Sequence, residues 1–462
     1  GIHLTSLPGD HGVGDIADSA LQFIDRLAEM NIGVWQFLPL GPTAFGDSPY
    51  QPLSAFAGNV MLLGLNPLVE SGLLKPGELE DLAALPHDFC DYGRLIPAKG
   101  ALLARAAERF LARGGNGLMA DYQEFLNRNG EQWLDDYAIF RVLKDLHGQR
   151  PWPEWEQEYV RRDPAAMTRA RDEHRSTIEH TRIKQFLFDR QWQALRDHAR
   201  DRGVILFGDM PIYIALDSAD AWSHPEMLLV DRDGIPSEVA GVPPDYFSED
   251  GQLWGNPLYD WAYHERTGFR WWVERMRHAA RQTDIVRIDH FRGFEAFWSV
   301  PFGAETAKDG EWVPGPGDAL FVAMERALGK LPIVAEDLGV ITPEVDALRE
   351  NHGIPGMVVL QFEVDDPDFD PDEIPENSVC YTGTHDNDTT AGWFRGNGDD
   401  TRTAEEIEST RANALKFTGG KAQTIARDMI RLAFSTRAVM AVAPMQDYLG
   451  LGSRARLNTP GT

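Results

Sequence analysis

The 462-residue chain contains only two cysteines, Cys90 and Cys380. Two cysteines cannot build a disulfide framework, and this scarcity is typical of a reducing compartment. The sequence also lacks any apolar stretch of about 18 residues, the length that a membrane-spanning helix requires. It opens with Gly1-Ile2-His3 rather than with a basic and apolar leader. We therefore expect a cytoplasmic protein with no membrane partner.

Basic residues are scarce, because 44 lysines and arginines face 72 aspartates and glutamates and leave a formal net charge of −28. Such a chain repels polyanions, so nucleic acid is not an expected partner, whereas neutral ligands stay open. The sequence has no internal repeat and no low-complexity tract. Hydrophobic residues at 43% and charged residues at 25% are typical of a globular protein.

Short apolar runs rich in β-branched residues alternate with segments of helix length along most of the chain. Such runs are typical of buried parallel strands. The candidate strands are residues 32–40, 60–65, 204–207, 285–288, 332–335, 357–362, 378–381 and 438–442. Eight strands separated mostly by helices predict an α/β fold, a single catalytic TIM (β/α)8 barrel over residues 1–462.

Two long insertions interrupt this alternation. Apolar residues at helical spacing, such as Trp133, Tyr137 and Phe140, dominate residues 100–202 and predict an inserted helical subdomain. Residues 216–261 are rich in glycine, proline, aspartate and aromatics. A long segment of this composition inside a compact domain indicates a functional loop rather than disorder.

Three of the candidate strands are followed by a carboxylate among polar residues: Asp289, Glu336 and Asp386. In a barrel of parallel strands the active site collects at their C-terminal ends, so we expect the three side chains to converge in one cleft. This layout is typical of a glycosidase. Asp209, after another strand, would suit a substrate hydroxyl or a purely structural role as a helix cap or at a strand end.

Alternation along residues 284–289 puts Arg287 and Asp289 on the same face of the strand. A neighbouring arginine lowers a carboxylate pKa by about 1–3 units, which suits a nucleophile, although a structural ion pair explains the same motif. The next carboxylate, Glu336, would need a pKa raised by burial and like charge to act as a general acid. The pattern does not decide whether Glu336 or Asp337 faces the cleft.

The polar segment 382–389 admits a metal-dependent alternative. His290, His385, Asp289, Asp386 and Asp388 are ligands that a hard divalent ion accepts in a hydrolase. No paired-histidine helix motif accompanies them. Hydrogen bonds to sugar hydroxyls explain these residues better, and we expect neither a metal nor a cofactor.

At this point the chain resembles the amylomaltases, the 4-alpha-glucanotransferases of the alpha-amylase clan of glycoside hydrolases. The resemblance runs almost from end to end through long motifs in the family's order. They are TSLPG at 5–9, WQ at 35–36, LPLGP at 38–42, SPYQ at 48–51, SAFAGN at 54–59, AGVPPDYFS at 240–248, GQLWGNP at 251–257, RIDHFRG at 287–293, AEDLG at 335–339 and NTPGT at 458–462. The resemblance implies the short bacterial form of the enzyme.

The resemblance implies a retaining double displacement on α-1,4-glucans, namely maltooligosaccharides and dextrins derived from starch or glycogen. Asp289 is then the nucleophile, Glu336 rather than Asp337 the acid/base, and Asp386 the transition-state stabiliser. The residues implied to bind or position the substrate are Ser48, Tyr50, Asp209, Asp245, Phe247, Gln252, Trp254, Arg287, His290, His385 and Asn458. The loop with Asp245, Phe247, Gln252 and Trp254 corresponds to a lid over the cleft. We expect a monomer or a weak homo-oligomer.

Two further interpretations compete with a transferase. An amylase-like α-1,4-glucan hydrolase would use the same carboxylates but pass the sugar to water, so it would raise the number of reducing ends. A glucan-binding protein that has lost catalysis would not need all three carboxylates.

Overall fold

The computed structural model describes residues 1–44, 48–244, 249–330, 332–396 and 402–458. The strands in this part of the chain are β1 (Val34–Gln36), β2 (Ile205–Pro211), β3 (Glu238–Val242), β4 (Gln252–Pro257), β5 (Ile285–Asp289), β6 (Ala296–Pro301), β7 (Glu311–Pro314), β8 (Ile333–Ala335), β9 (Gly356–Val359), β10 (Ser378–Tyr381) and β11 (Met440–Val442).

The α-helices of the described residues vary from single turns to the seven turns of α9. They are α1 (Asp18–Glu29), α2 (Asn66–Glu70), α3 (Glu80–Ala83), α4 (Tyr92–Ala112), α5 (Met119–Asn129), α6 (Asp135–Leu146), α7 (Gln157–Val160), α8 (Pro164–Glu173), α9 (Arg175–Asp201), α10 (Ala219–Ser223), α11 (Trp261–Arg266), α12 (Arg270–Gln282), α13 (Asp318–Leu328), α14 (Pro343–Asn351), α15 (Leu360–Glu363), α16 (Thr390–Arg395), α17 (Ala404–Thr418), α18 (Ile425–Ser435) and α19 (Met445–Tyr448). Over the described residues, none is both long enough and apolar enough to cross a bilayer.

The parallel strands form two sheets, β1-β2-β5-β8 and β9-β10-β11. The two sheets meet along their edge strands β8 and β9. The Ala335 backbone N–H in β8 donates to the Pro355 carbonyl just before β9, at 2.9 Å. On the other side, the segment Gly1–Ile2 lies between β11 and β1. The Gly1 nitrogen donates to the Ala443 carbonyl at 2.7 Å, and the Ile2 N–H donates to the Gln36 carbonyl at 3.0 Å. These bonds close a barrel.

The interior of this barrel confirms the closure, because every parallel strand contributes an inward side chain to one apolar cluster. Its members are Val34, Phe207, Ile285, Val334, Leu338, Met357, Val359, Val379, Tyr381, Met440 and Val442. Inward and outward positions alternate along each strand. In β5, Val286 and Ile288 therefore point outward into a second core under the surrounding helices, which leaves Arg287 and Asp289 to face the interior. The predicted α/β barrel is confirmed.

One of the eight predicted strands is wrong. Residues 60–65 contain a 3-10 turn, Val60–Leu62, in which the Asn59 side chain accepts from the Met61 N–H. Backbone groups just before the run, at Gly58, and within it, at Gly64, bond to side chains of α9. Gln185 pairs with the N–H and C=O of Gly58, and Gln191 pairs with those of Gly64. These amide side chains take the hydrogen bonds that a neighbouring strand would need. Gly1–Ile2 holds the remaining place in the ring.

Helices α2 to α9 lie between β1 and β2 in the described residues. Their buried faces follow the predicted spacing, as in α6 with Tyr137 and Phe140 and in α9 with Phe188, Trp192 and Leu195. Helix α4 begins at Tyr92, so this helical region starts before the predicted boundary at residue 100. The division into a barrel and an inserted subdomain over 100–202 stays a prediction.

A second, antiparallel sheet has the order β4-β3-β6-β7. Strands β3 and β4 belong to the predicted insertion over 216–261, which follows the C-terminal end of β2, whereas β6 and β7 follow the C-terminal end of β5. Both excursions therefore leave the barrel at its C-terminal face. This sheet stands beside the cleft that opens there.

Candidate active site

A cavity of about 820 Å³ opens at the C-terminal ends of the parallel strands. The three carboxylates predicted to converge, Asp289, Glu336 and Asp386, all line it. So do most of the other predicted site residues. These are Ser48, Tyr50, Gln252, Trp254, Arg287, His290 and His385.

Two other predicted residues, Asp209 and Asn458, are described but do not line the cavity. Asp209 lies below the cavity floor with 1% of its side chain exposed, so its position gives no support to a direct contact with a sugar. Asn458 stands at the rim and donates from Nδ2 to Asp386 Oδ1 at 2.7 Å. Asp245 and Phe247 fall outside the described residues.

Arg287 links two of the carboxylates. Its Nη1 donates to both carboxylate oxygens of Asp209, at 2.8 and 2.7 Å, and its Nη2 lies 2.9 Å from Asp289 Oδ1. The Arg287 side chain is 4% exposed and that of Asp289 is 29% exposed. The predicted same-face placement of Arg287 and Asp289 is confirmed, and one guanidinium neutralises part of two negative charges.

The predicted direction of the Asp289 pKa is wrong. Burial raises the pKa of the Asp289 carboxyl above its usual value, and the negative charge of Asp209 adds to the rise. Arg287 acts in the lowering direction, but its charge is shared with Asp209. The sequence pattern showed that Arg287 is next to Asp289. It did not show that the Asp289 carboxyl is buried or that Arg287 also pairs with Asp209.

Glu336 lies beside Asp289, because β5 and β8 are parallel and pair Ile288 with Ala335, the residues just before them. Residues in register on adjacent parallel strands point the same way. The carboxylate accepts from two backbone N–H groups, His290 to Oε2 at 2.7 Å and Leu338 to Oε1 at 3.0 Å. Burial, with the charge of Asp289, raises the pKa of Glu336 to about 7. The predicted rise is confirmed.

Asp337 points away from the cavity. Its Oδ1 accepts from the Met357 N–H at 2.7 Å, and its Oδ2 lies 3.1 Å from Arg349 Nε. It ties the end of β8 to β9 and α14. The sequence left open which of the two neighbours faces the cleft, and the structure gives this position to Glu336.

Asp386 is held from two sides at the open end of the site, with 48% of its side chain exposed. Asn458 donates to Oδ1, and His385 Nε2 lies 3.2 Å from Oδ2. The Asp386 backbone N–H donates to Thr384 Oγ1 at 3.2 Å. The carboxylate is therefore oriented while it keeps surface free for a ligand.

Tyr50 connects the rim to the buried ion pair. Its hydroxyl donates to Asp209 Oδ2 at 2.7 Å and lies 2.8 Å from His385 Nε2. The Tyr50 and His385 rings also stack, with centroids 5.4 Å apart and planes 9° apart. A continuous network therefore runs from Arg287 through Asp209, Tyr50 and His385 to Asp386.

His290 follows β5 in a left-handed conformation, with φ at 53°. This turn aims its backbone N–H at Glu336. Burial lowers the pKa of the ring to about 3, so the imidazole is neutral at pH 7. Its buried Nε2 has no partner in the described structure, and the ring lines the cavity with Trp254 packed edge-on, their centroids 4.7 Å apart.

Sequence reasoning missed several residues of the cavity wall. Gln51 and Asn256 bond to each other through their side-chain amides, at 3.1 and 3.4 Å, and both belong to motifs quoted above. The motifs could have revealed this pair. Arg292 and Trp312 also line the cavity, but no spacing in the sequence connects the two.

The metal-dependent alternative has no geometric counterpart in the described ranges. Three or more histidine, cysteine, aspartate or glutamate side chains are nowhere gathered there as an ion would require. The carboxylate of Asp289 instead pairs with Arg287, and the carboxylate of Glu336 accepts hydrogen bonds from backbone N–H groups.

Comparison with known proteins gives one consistent result. The family profile described as 4-alpha-glucanotransferase matches residues 2–462. A 4-alpha-glucanotransferase of Synechocystis sp. is 45% identical over 468 residues, which cover 100% of this chain and 91% of the relative.

Solved structures agree with this match. The amylomaltase from Streptococcus agalactiae in complex with acarbose superposes with a TM-score of 0.93 at 36% identity, covering 100% of this chain and 92% of that one. The amylomaltase from Corynebacterium glutamicum, at 20% identity, shares the fold with a TM-score of 0.80 over 100% of this chain and 69% of that one. The chain therefore belongs to the 4-alpha-glucanotransferase family, the amylomaltases.

Proposed function

We propose that the chain transfers α-1,4-glucan segments between maltooligosaccharides, or dextrins derived from starch or glycogen, by a retaining double displacement. Family membership favours transfer over an amylase-like hydrolysis and over a binding protein without catalysis. The observation that carries the mechanism is the pair Asp289 and Glu336 on adjacent strands, with the pKa of Glu336 raised to about 7.

In the first step Glu336 acts as the general acid. A pKa of about 7 leaves a substantial fraction of the carboxyl protonated at neutral pH, which a general acid requires. It protonates the glycosidic oxygen as that bond breaks, while Asp289 attacks the anomeric carbon and forms the covalent glycosyl-enzyme. Retention requires the two carboxyl groups about 5–5.5 Å apart. The spacing of adjacent strands, about 4.8 Å, supports such a separation.

In the second step Glu336, now ionised, takes the proton from the 4-hydroxyl of an acceptor glucan. That oxygen attacks the anomeric carbon, and the bond to Asp289 breaks. Asp386 is assigned to the hydroxyls next to the anomeric centre. Its orientation by Asn458 and His385 supports this role, since an oriented carboxylate stabilises the oxocarbenium-like transition state without reorganisation.

Transfer beats hydrolysis only when a sugar hydroxyl reaches the glycosyl-enzyme before water does. Trp254 and Gln252, on β4 beside the cleft, are joined by a hydrogen bond from Trp254 Nε1 to Gln252 Oε1 at 3.1 Å. We assign them, with Asp245 and Phe247, to a lid that covers the bound glucan. We propose that this lid belongs to an insertion over residues 216–261.

We also assign the protein to the cytoplasm. Cys90 and Cys380 are both free thiols, which suits a reducing compartment. Maltodextrins in that compartment would be its substrates.

The test is incubation of the purified protein with maltotriose, reading the product ladder and the number of reducing ends. We expect glucose and longer maltodextrins with constant reducing ends, and no activity in Asp289→Asn. Rising reducing ends would make the protein a hydrolase. An active Asp289→Asn variant would overturn the assigned nucleophile.

A further inference from the structure

Trp312 is a solvent-exposed tryptophan in the wall of the catalytic cavity that the proposed mechanism does not use. It lies on β7 of the antiparallel sheet, and 40% of its surface is exposed. Ligand cavities are lined largely by hydrophobic and aromatic side chains, so an exposed indole in this wall is placed to contact a bound ligand.

The indole is held in place before any ligand arrives. The guanidinium of Arg292 covers the ring, with Cζ 3.8 Å from the centroid. Trp298 lies directly opposite on β6 and meets Trp312 edge-to-face at 5.2 Å, while Trp298 Nε1 donates to the Ala307 carbonyl at 2.8 Å. An aromatic ring braced by a cation and a second aromatic loses little side-chain entropy when a sugar stacks on it.

The same contacts tell which end of the glucan this wall faces. Arg292 Nη1 donates to the Val340 carbonyl, four residues after Glu336, and Leu338 donates to Glu336 itself. Arg292, and with it the ring of Trp312, is thus attached to the loop that follows the proposed general acid. A general acid faces the leaving-group oxygen, so sugars on the leaving-group side run along this wall.

We propose that Trp312, clamped by Arg292, is a stacking platform for the second or a later sugar of the acceptor glucan, and so sets a preference for acceptors longer than glucose. This inference rests on the proposed transferase function. Trp312 acts by stacking on the apolar face of a glucose ring. Loss of such a contact should weaken binding about tenfold, which corresponds to about 1.4 kcal/mol.

The test uses α-maltosyl fluoride as donor, because its leaving group is fluoride and occupies no acceptor subsite. Transfer is then followed with glucose, maltose and maltotriose as acceptors. In Trp312→Ala we expect the KM for maltotriose, relative to that for glucose, to rise about tenfold, and Trp312→Phe to restore most of the difference. The control is Phe434→Ala, which removes another exposed aromatic side chain, one that does not line the cavity.

Two outcomes would overturn the proposal. If Trp312→Ala raises the KM for all three acceptors equally, or lowers kcat alone, the indole only supports the wall. If none of the three KM values changes, no acceptor sugar stacks on the indole. Failure of the proposed function is separate, because it would appear as fluoride release that survives Asp289→Asn or as no transfer in the wild type.

Discussion

Arg287, in the lining of the cleft, and Asp209, beneath it, form a buried ion pair in which one guanidinium nitrogen donates to both carboxylate oxygens at 2.8 and 2.7 Å. Their side chains are 4% and 1% exposed. Asp209 also accepts from the Tyr50 hydroxyl, and Arg287 reaches Asp289. The pair therefore fixes the position of the proposed nucleophile and of one rim residue together.

Asp209→Ala should destabilise the protein strongly. It leaves the buried guanidinium of Arg287 with a single salt bridge among the described residues, to Asp289. Loss of one partner of a buried pair costs about 3–5 kcal/mol. The free energy of unfolding from urea titration measures this. The matched control is Glu29→Ala, which breaks the exposed Arg26–Glu29 pair and should cost less than about 1 kcal/mol. Equal losses in the two variants would contradict the structural role of the buried pair.

The activity should depend on pH through the Asp289 and Glu336 pair. Glu336 must be protonated in the first step, and its pKa lies near 7, so kcat/KM on maltotriose should fall as pH rises through about 7. Asp289 must be ionised, and its pKa is raised above the usual value, so an acid limb should appear above the pH typical of free aspartate. A pH profile of kcat/KM reports both apparent values.

Replacement of Glu336 by glutamine separates the two limbs. On maltotriose, Glu336→Gln should lose about 10²–10⁴-fold in rate, since the leaving oxygen is no longer protonated. On α-maltosyl fluoride, whose fluoride leaves without a proton, formation of the glycosyl-enzyme should persist and lose the alkaline limb. An unchanged alkaline limb in this variant would assign it to a group other than Glu336.

The barrel and its carboxylates could be predicted because they are local features of strands. A run such as residues 285–288 shows its period in the sequence, and the residue that follows it must lie at the C-terminal face. The prediction failed at residues 60–65 for a long-range reason. Gln185 and Gln191 take the backbone hydrogen bonds there, and both lie more than a hundred positions away.

The electrostatics of the site were only partly predictable. The rise in the Glu336 pKa follows from burial beside another carboxylate. The sequence shows both causes, since an apolar run precedes Glu336 and a second carboxylate follows the neighbouring strand. The pKa of Asp289 rises mainly because the carboxyl is buried, and Arg287, which also binds Asp209, acts against this rise. The balance between burial and charge depends on the three-dimensional arrangement and is not visible in the sequence. The same holds for Trp312 and Arg292, which no sequence motif connects but which stack at 3.8 Å.

The contact between Asn458 and Asp386 should matter for catalysis more than for stability. Asp386 is about half exposed, so loss of its hydrogen bond should change the free energy of unfolding little. Asn458→Ala frees the carboxylate to rotate, and we expect kcat/KM on maltotriose to fall about tenfold, which corresponds to about 1.4 kcal/mol. Asn458→Asp keeps the shape of the side chain but places a second negative charge beside Asp386, so kcat/KM should fall further than in Asn458→Ala. Equal kinetics in the two variants would contradict an orienting role.

Acid should destabilise the fold through buried histidines, of which His264 is the clearest. It has 0% exposure, its ring packs against Tyr259, Trp261 and Trp271, and burial lowers its pKa from 6.5 to about 4. Between these two values the unfolded chain binds a proton that the folded protein does not. The contribution of His264 to stability is therefore complete above pH 6.5 and is lost progressively as pH falls toward 4, by about 3 kcal/mol.

Urea unfolding at pH 7, 6 and 5 measures this loss in the wild type and in His264→Phe. Carboxylates also titrate toward the low end of this range, but their effect is common to both proteins and cancels in the difference. The loss on acidification should be smaller in His264→Phe, because phenylalanine binds no proton in the unfolded chain. His87→Phe, the same change at an exposed position, should keep the wild-type slope. Parallel curves for the wild type and His264→Phe would mean that the His264 ring is protonated in the folded protein. Burial would then not lower the pKa of this histidine.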